Sequence, residues 1–337
     1  MTLLRRHPRP ALLAILVAVI ATTGVVGPES VLPGVRAPTA PIAAAATDLG
    51  RPAWFGMRLL HDAVTFHAGS ATTPAPVVHA AGGILVDLDS HAILWSQQDH
   101  ARLAPASTTK ILTALVALEN FDASRPVTVT ESALGQAPDE TRMGVAAGET
   151  LTVQELLTGM LMVSGNDAAT VLAVDTVGME RFVGAMNAQA DALGMRDSHF
   201  TNPVGLPDPQ LRTSAYDLAV LTAVAVTHFP LFADIVATRS TTLPATAGHP
   251  AFPMWSINLL LFTYPFAVGI KPGWTSEAGF CEVGMAVRGG HRLISVLLDA
   301  PYPVSQTRHL LDWGFVQEGL PTTLPTPTAS AAPSPHG

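Results

Sequence analysis

A serine and a lysine stand three residues apart in Pro105-Ala106-Ser107-Thr108-Thr109-Lys110, directly ahead of the apolar run over residues 111–118. On a helix that spacing stacks the two side chains on one face, about one turn apart. Apolar residues cover every side of the run, so the helix suits the centre of a domain. A lysine drawn into such an interior is costly while charged, and burial lowers its pKa. A neutral lysine beside a serine is a base that can take the hydroxyl proton and leave a nucleophile. The helix N-terminus adds free N–H groups and partial positive charge where negative charge would develop. Two more polar sites interrupt apolar surroundings: the corner Ser164-Gly165-Asn166, and Lys271 at the end of a strand-like run over 266–271. Each site alone has a plainer reading. Ser107 and the 164–166 corner could be helix caps, and the lysines could reach out to water.

Elements to position these groups can be read along the chain. Residues 83–89 and 92–95 are β-prone runs joined by the turn signal Asp89-Ser90-His91, which predicts a hairpin. The buried helix with Ser107 and Lys110 follows over about 106–120. Thr152-Val153-Gln154-Glu155 is a capping box opening a helix that stops at Ser164. A second helix leaves at once from Ala168. Residues 178–193 form another, ended by Gly194 at C′. Residues 213–228 form a further one, with Asp217 placed to bond back to its start. After Pro230 the pattern changes: 248–265 is rich in turn residues, and 266–271 reads as a strand. Residues 280–288 and 291–298 are strands joined by Gly289-Gly290, a two-residue hairpin signal. A closing helix covers about 307–315. Strands at both ends of the domain enclose a helical middle, so the expected fold is α+β, with early and late strands paired in one antiparallel sheet.

The chain has 337 residues, of which 48% are hydrophobic and 13% charged, enough for one large domain or two modest ones. A formal net charge of −8 argues against general nucleic-acid binding. Its 12 histidines are scattered, with no His-Glu-x-x-His and no cysteine pair, so no metal site is expected. Cys281 is the single cysteine, which excludes an internal disulfide, and its apolar setting suits a buried structural thiol. Arg5, Arg6 and Arg9 precede an apolar run over 11–21 with a weaker extension to 26, the pattern of an export signal. The expected organisation is a signal peptide or N-terminal anchor over 1–27 and a Pro/Ala-rich linker over 28–77. A folded domain follows over 78–318, then a disordered tail over 319–337. Within the linker, residues 53–66 carry enough apolar side chains for a short docking helix.

The three polar sites together resemble a known family, the serine D-alanyl-D-alanine carboxypeptidases, or low-molecular-weight penicillin-binding proteins, whose fold is shared by serine β-lactamases. That family carries Ser-x-x-Lys, Ser-x-Asn and Lys-Thr-Gly in this order. Here they stand as Ser107–Lys110, Ser164–Asn166 and Lys271-Pro272-Gly273. Also similar are Met186-Asn187, the run Phe200-Thr201-Asn202-Pro203-Val204-Gly205-Leu206, Ala278-Gly279 and Trp313-Gly314-Phe315, so the likeness extends from about 82 to 315. The resemblance implies an acyl-enzyme on Ser107, with Lys110 as base and Ser164 relaying a proton to the departing amine. It implies substrate binding by Asn166, Lys271, Gly273, Trp274 and Thr275, and an oxyanion hole from the N–H groups of Ser107 and Trp274. It implies peptidoglycan stem peptides as substrate and β-lactams as covalent inhibitors, with no cofactor, in an exported enzyme whose membrane contact would run through the N-terminal segment.

Two departures concern one carboxylate. Pro272 replaces the family's threonine, whose hydroxyl helps bind the substrate's terminal carboxylate. No arginine occupies 300–304, where the family often places a carboxylate ligand; Arg308 lies nearer the closing helix. Thr275 is placed to supply a substitute hydroxyl. Alternatives are therefore a D,D-endopeptidase acting on cross-linked wall, or a catalytically impaired wall-binding paralogue. A class A β-lactamase is disfavoured because no deacylating glutamate follows near Phe200-Thr201-Asn202.

Overall fold

The computed structural model describes residues 56–323. The export segment, the linker as far as residue 55 and the tail from 324 lie outside the described residues. In chain order the elements begin with β1 (His67–Ala68), β2 (Gly82–Asp87) and β3 (Ala92–Gln97), then a 3₁₀ turn Ala106–Thr109 leading into α1 (Lys110–Asn120). The helical middle contains β4 (Pro126–Thr128), β5 (Thr150–Thr152), α2 (Val153–Met162), α3 (Asn166–Val174), α4 (Met179–Ala192), α5 (Ala215–His228) and α6 (Pro230–Ala237). Then come β6 (Ser240–Leu243), β7 (Phe252–Trp255), α7 (Leu260–Thr263), β8 (Ala267–Thr275), β9 (Gly279–Arg288), β10 (His291–Leu298) and α8 (Pro303–Gln317).

The main sheet has the order β1-β3-β2-β10-β9-β8, so strands from both ends of the domain meet where β2 pairs antiparallel with β10. Only the two-residue β1 departs from the antiparallel pattern, pairing parallel with β3. Alternation along the strands divides the core between the two faces of the sheet. Val283, Met285, Ile294 and Val296 pack with the helical middle, while Ala286, Leu293, Leu297 and Leu85 pack under α8 with Leu310, Leu311 and Phe315. Helix α1 is the centre of the larger core: residues 110–117 are all buried, as its all-round apolar surface requires. Thr152 caps α2 in the reciprocal arrangement with Glu155.

Several expectations are corrected. Residues 56–66 form no helix; they lie irregularly on the domain, with Met57 and Phe66 buried and Leu60 exchanging hydrogen bonds with Gln189. The stretch after Pro230 holds a helix, α6, because Pro230 sits at its first position and Phe232, Ile235 and Val236 share a buried face. The turn-rich region holds β7, which pairs with β6, and the short α7. Strand β8 continues through Pro272 to Thr275, since it is the edge of the sheet and a missing N–H there breaks no outer ladder. Asp217 does not bond back: its backbone N–H caps on Ser214, and its carboxylate accepts from Asp197 N and Ser198 Oγ. Helix α8 begins at Pro303, and the chain beyond it is held at least to Thr323, whose hydroxyl donates to Asp312.

Candidate active site

Ser107 sits in the 3₁₀ turn and lines a cleft of about 1270 Å³, and Lys110 is the first residue of α1. Ser164, Asn166, Gly273, Trp274 and Thr275 line the same cleft with Ser107; Lys110 and Lys271 lie fully buried behind its wall. All eight residues singled out in the sequence are therefore brought to one place. Tight backbone packing holds the turn. A Cβ on Gly205 would come 1.8 Å from Ala106 O, and one on Gly273 would come 2.8 Å from Ser107 N. Only glycine permits either approach, and Gly205 also has φ +86°. Ala106 and Ser164 themselves adopt positive φ, +47° and +59°, the sparsely populated backbone that accumulates at functional sites.

Lys110 Nζ has three partners: Ser107 Oγ at 2.9 Å, Asn166 Oδ1 at 2.7 Å and Val204 O at 2.8 Å. A protonated amine would donate to all three. A neutral amine has two N–H groups, which fit the two carbonyl oxygens, and one lone pair left to accept the Ser107 hydroxyl proton. Burial drives Lys110 well below its ordinary 10.5, and the Lys271 charge pushes the same way, against Glu140 and Asp167. The neutral form is thus the one the surroundings favour. Lys271 is itself lowered to about 7 by burial, with Glu282 opposing. Its Nζ donates to Pro272 O at 2.9 Å. The two-residue period of β8 puts Lys271 and Gly273 on the face that packs on Ser107.

The corner between α2 and α3 is fixed by its backbone. Thr141 Oγ1 donates to Ser164 O at 2.7 Å, and Asn166 N donates to Thr141 O at 2.8 Å. Asp167 accepts from the backbone N–H groups of Met143, Gly144 and Val145, tying the 141–145 segment to the corner. Thr275 Oγ1 accepts from Ala278 N at 3.0 Å, which leaves its hydroxyl proton directed by nothing else in that contact. Trp274 is 60% exposed on the rim, its ring 6.1 Å from that of Phe280. Arg308, left aside in the sequence, lines the cleft from α8, and its Nε is buried without a hydrogen-bond partner. Cys281 is buried with its thiol pushed up to about 12, as suits a structural residue.

Three participants escaped the sequence. Glu140 accepts from Asn166 Nδ2 at 2.7 Å, so the asparagine joins a carboxylate to Lys110. Val204 contributes only its carbonyl. Glu282, opposite Pro272 on β9, is fully buried, lines the cleft and has both carboxylate oxygens without a partner; burial lifts it to about 8, against the Lys271 charge. Nothing in the local sequence marks any of them, since each acts through a contact made by the fold.

Comparison with known proteins places this geometry. The family model described as D-alanyl-D-alanine carboxypeptidase matches residues 69–302. The chain is 38% identical over 262 residues to D-alanyl-D-alanine carboxypeptidase DacB2 of Mycobacterium tuberculosis, covering 75% of this chain and 88% of that protein. It is 32% identical to D-alanyl-D-alanine carboxypeptidase DacF of Bacillus subtilis, covering 71% of this chain and 62% of that one. Among solved structures it resembles a D-alanyl-D-alanine carboxypeptidase from Mycobacterium tuberculosis, with a TM-score of 0.68 and 35% identity over 74% of this chain and 96% of that one. The Streptomyces K15 DD-transpeptidase is similar at a TM-score of 0.67 and 28% identity, over 72% of this chain and the whole of that one.

Proposed function

The chain belongs to the D-alanyl-D-alanine carboxypeptidase family and is a serine-type hydrolase of that penicillin-binding class, and we propose that Ser107 is its nucleophile and Lys110 its base. The observation that carries this assignment is the Lys110 amine, dry and held at 2.7–2.9 Å by two carbonyl oxygens and the Ser107 hydroxyl. In the proposed reaction Lys110 takes the Ser107 proton as Oγ attacks the carbonyl between two terminal D-alanines. The N–H groups of Ser107 and Trp274 stabilise the oxyanion. The proton passes by way of Ser164 to the departing amine as the C–N bond breaks, releasing D-alanine and leaving an ester on Ser107. Water then attacks the ester, giving up a proton to Lys110, which returns it to Ser107 Oγ as the ester C–O bond breaks, and the shortened peptide leaves as an acid that ionises in solvent. Asn166 holds the peptide amide, Gly273, Trp274 and Thr275 form the wall that receives the C-terminal residue, and Lys271 lies buried behind that wall.

The substrate we infer is the stem peptide of peptidoglycan, with β-lactams acting as covalent inhibitors at the same serine. The basic-then-apolar stretch over 5–26 supports export, to the cell wall or the outer face of a membrane. The test is release of D-alanine from a D-Ala-D-Ala peptide. Turnover by the parent and none by Ser107→Ala or Lys110→Ala is expected; no release by the parent from any such peptide would overturn the assignment. Pro272, which supplies no hydroxyl for a terminal carboxylate, favours one second activity, a D,D-endopeptidase. Release of monomers from cross-linked dimers at a rate exceeding D-alanine release would identify it.

A further inference from the structure

Three side chains distant in sequence meet at the end of the sheet remote from the cleft. Asp87 closes β2, His291 opens β10 after the Gly289-Gly290 turn, and Glu318 follows the last turn of α8. His291 Nδ1 lies 3.2 Å from Asp87 Oδ2 and 3.5 Å from Glu318 Oε2, and one ligating atom from each of the three falls within 4.8 Å of the others. Asp87 is 1% exposed, and its other oxygen accepts from the backbone N–H groups of Asp89 and Ser90 at 2.7 and 3.1 Å. Oδ2 is thereby aimed at the imidazole by backbone that cannot turn away. The neighbouring arginine does not neutralise this corner: Arg292 is engaged with Asp89 instead, through two hydrogen bonds to Oδ1 and its backbone N–H to Oδ2.

One N–H on Nδ1 can point at a single carboxylate, and 3.5 Å to the second exceeds an ordinary N–H···O bond. A cation at the centre would engage all three ligand atoms at once. Ligand atoms about 2.0–2.2 Å from a tetrahedral zinc ion lie about 3.3–3.6 Å apart along the edges. The separations of 3.2 and 3.5 Å match those edges, and imidazole with two carboxylates is a donor set suited to zinc. The two backbone N–H groups on Asp87 Oδ1 are the kind of outer support that orients a ligating carboxylate.

We propose that Asp87, His291 and Glu318 form a structural zinc site, with water as fourth ligand, that fastens the end of α8 to the two central strands β2 and β10. The site lies outside the catalytic machinery, at the opposite end of β10 from residues 299–305 of the cleft rim. It was invisible in the sequence because its ligands are spread over 87, 291 and 318, without the close spacing of a zinc motif.

The test uses the full chain, stripped with a chelator and titrated with zinc chloride, alongside His291→Gln and Glu318→Gln. These near-isosteric changes remove a ligand without removing volume. The parent is expected to take up one zinc per chain, and at a hundredfold excess over Kd its Tm should rise by roughly 5–10 °C. Both variants should lose the uptake and the Tm shift while reacting with a β-lactam at the parent rate. The absence of a zinc-dependent Tm shift in the parent would overturn the proposal and leave a protonated His291 between two carboxylates. Equal zinc uptake by the variants would also overturn it, assigning the metal to other histidines.

Discussion

Replacing Gly273 by alanine should disable acylation without unfolding the protein. The added Cβ would lie 2.8 Å from Ser107 N, 3.1 Å from Ala106 Cβ and 3.2 Å from Thr108 N. Ordinary contact begins near 3.4 Å, so the turn or the strand must give way by 3.4 − 2.8 = 0.6 Å. The turn cannot retreat, because Ala106 O is already within 1.8 Å of the position a Cβ on Gly205 would take. Ser107 and its N–H, the proposed nucleophile and oxyanion donor, are therefore the atoms displaced. A misplacement of about 1 Å can cost 10²-fold, and loss of one oxyanion donor costs about 10²–10³-fold. A fall of about 10²-fold in the second-order acylation constant is expected, or about 2.7 kcal/mol of transition-state stabilisation. The assay is stopped-flow acylation by a fluorescent penicillin, with thermal melting to show that the variant is folded. Gly135→Ala is the control, because its Cβ meets nothing within 4 Å. A folded Gly273→Ala protein that acylates within about threefold of the parent would refute the close-approach argument, since such a rate leaves no room for a displaced N–H.

Asn166→Asp would place a carboxylate 2.7 Å from Lys110 Nζ, favouring the protonated amine. The acid limb of the acylation profile should move to higher pH by about 1–3 units, and an unmoved limb would remove Lys110 as the base. Glu282→Gln should stabilise the protein at alkaline pH. The folded-state pKa of about 8 lies above the ordinary 4.5, so folded Glu282 holds a proton that the unfolded chain lacks between those values. Parent stability contributed by Glu282 is accordingly present below about 4.5 and lost as pH rises through about 8. Urea melts at pH 5 and 8.5 should show the variant's advantage growing with pH, and a constant difference would contradict the burial of an unpaired carboxylate.

How far these features could be read from the chain depended on the range of the interaction. The β9–β10 hairpin was legible because Gly289-Gly290 selects a two-residue turn, and the start of α2 because Thr152 and Glu155 satisfy each other's backbone N–H groups locally. The Ser107–Lys110 pair was legible because burial of an all-apolar helix forces its lysine inward. Helix α6 was not legible because it is only 8 residues long and starts directly on Pro230, with a single residue between it and the end of α5 at His228. Strand β6, Ser-Thr-Thr-Leu, has little apolar alternation, and its pairing with β7 depends on tertiary contacts. Within the site, Glu140 and Val204 reach Asn166 and Lys110 through contacts 26 and 94 residues apart, and such distances leave no local signature.

Reaction with a penicillin followed by intact-protein mass measurement bears most directly on Ser107 as a nucleophile activated by neutral Lys110. One covalent adduct per chain is expected on the parent and none on Ser107→Ala. An unmodified parent at high antibiotic concentration, or an adduct that persists on Ser107→Ala, would contradict it.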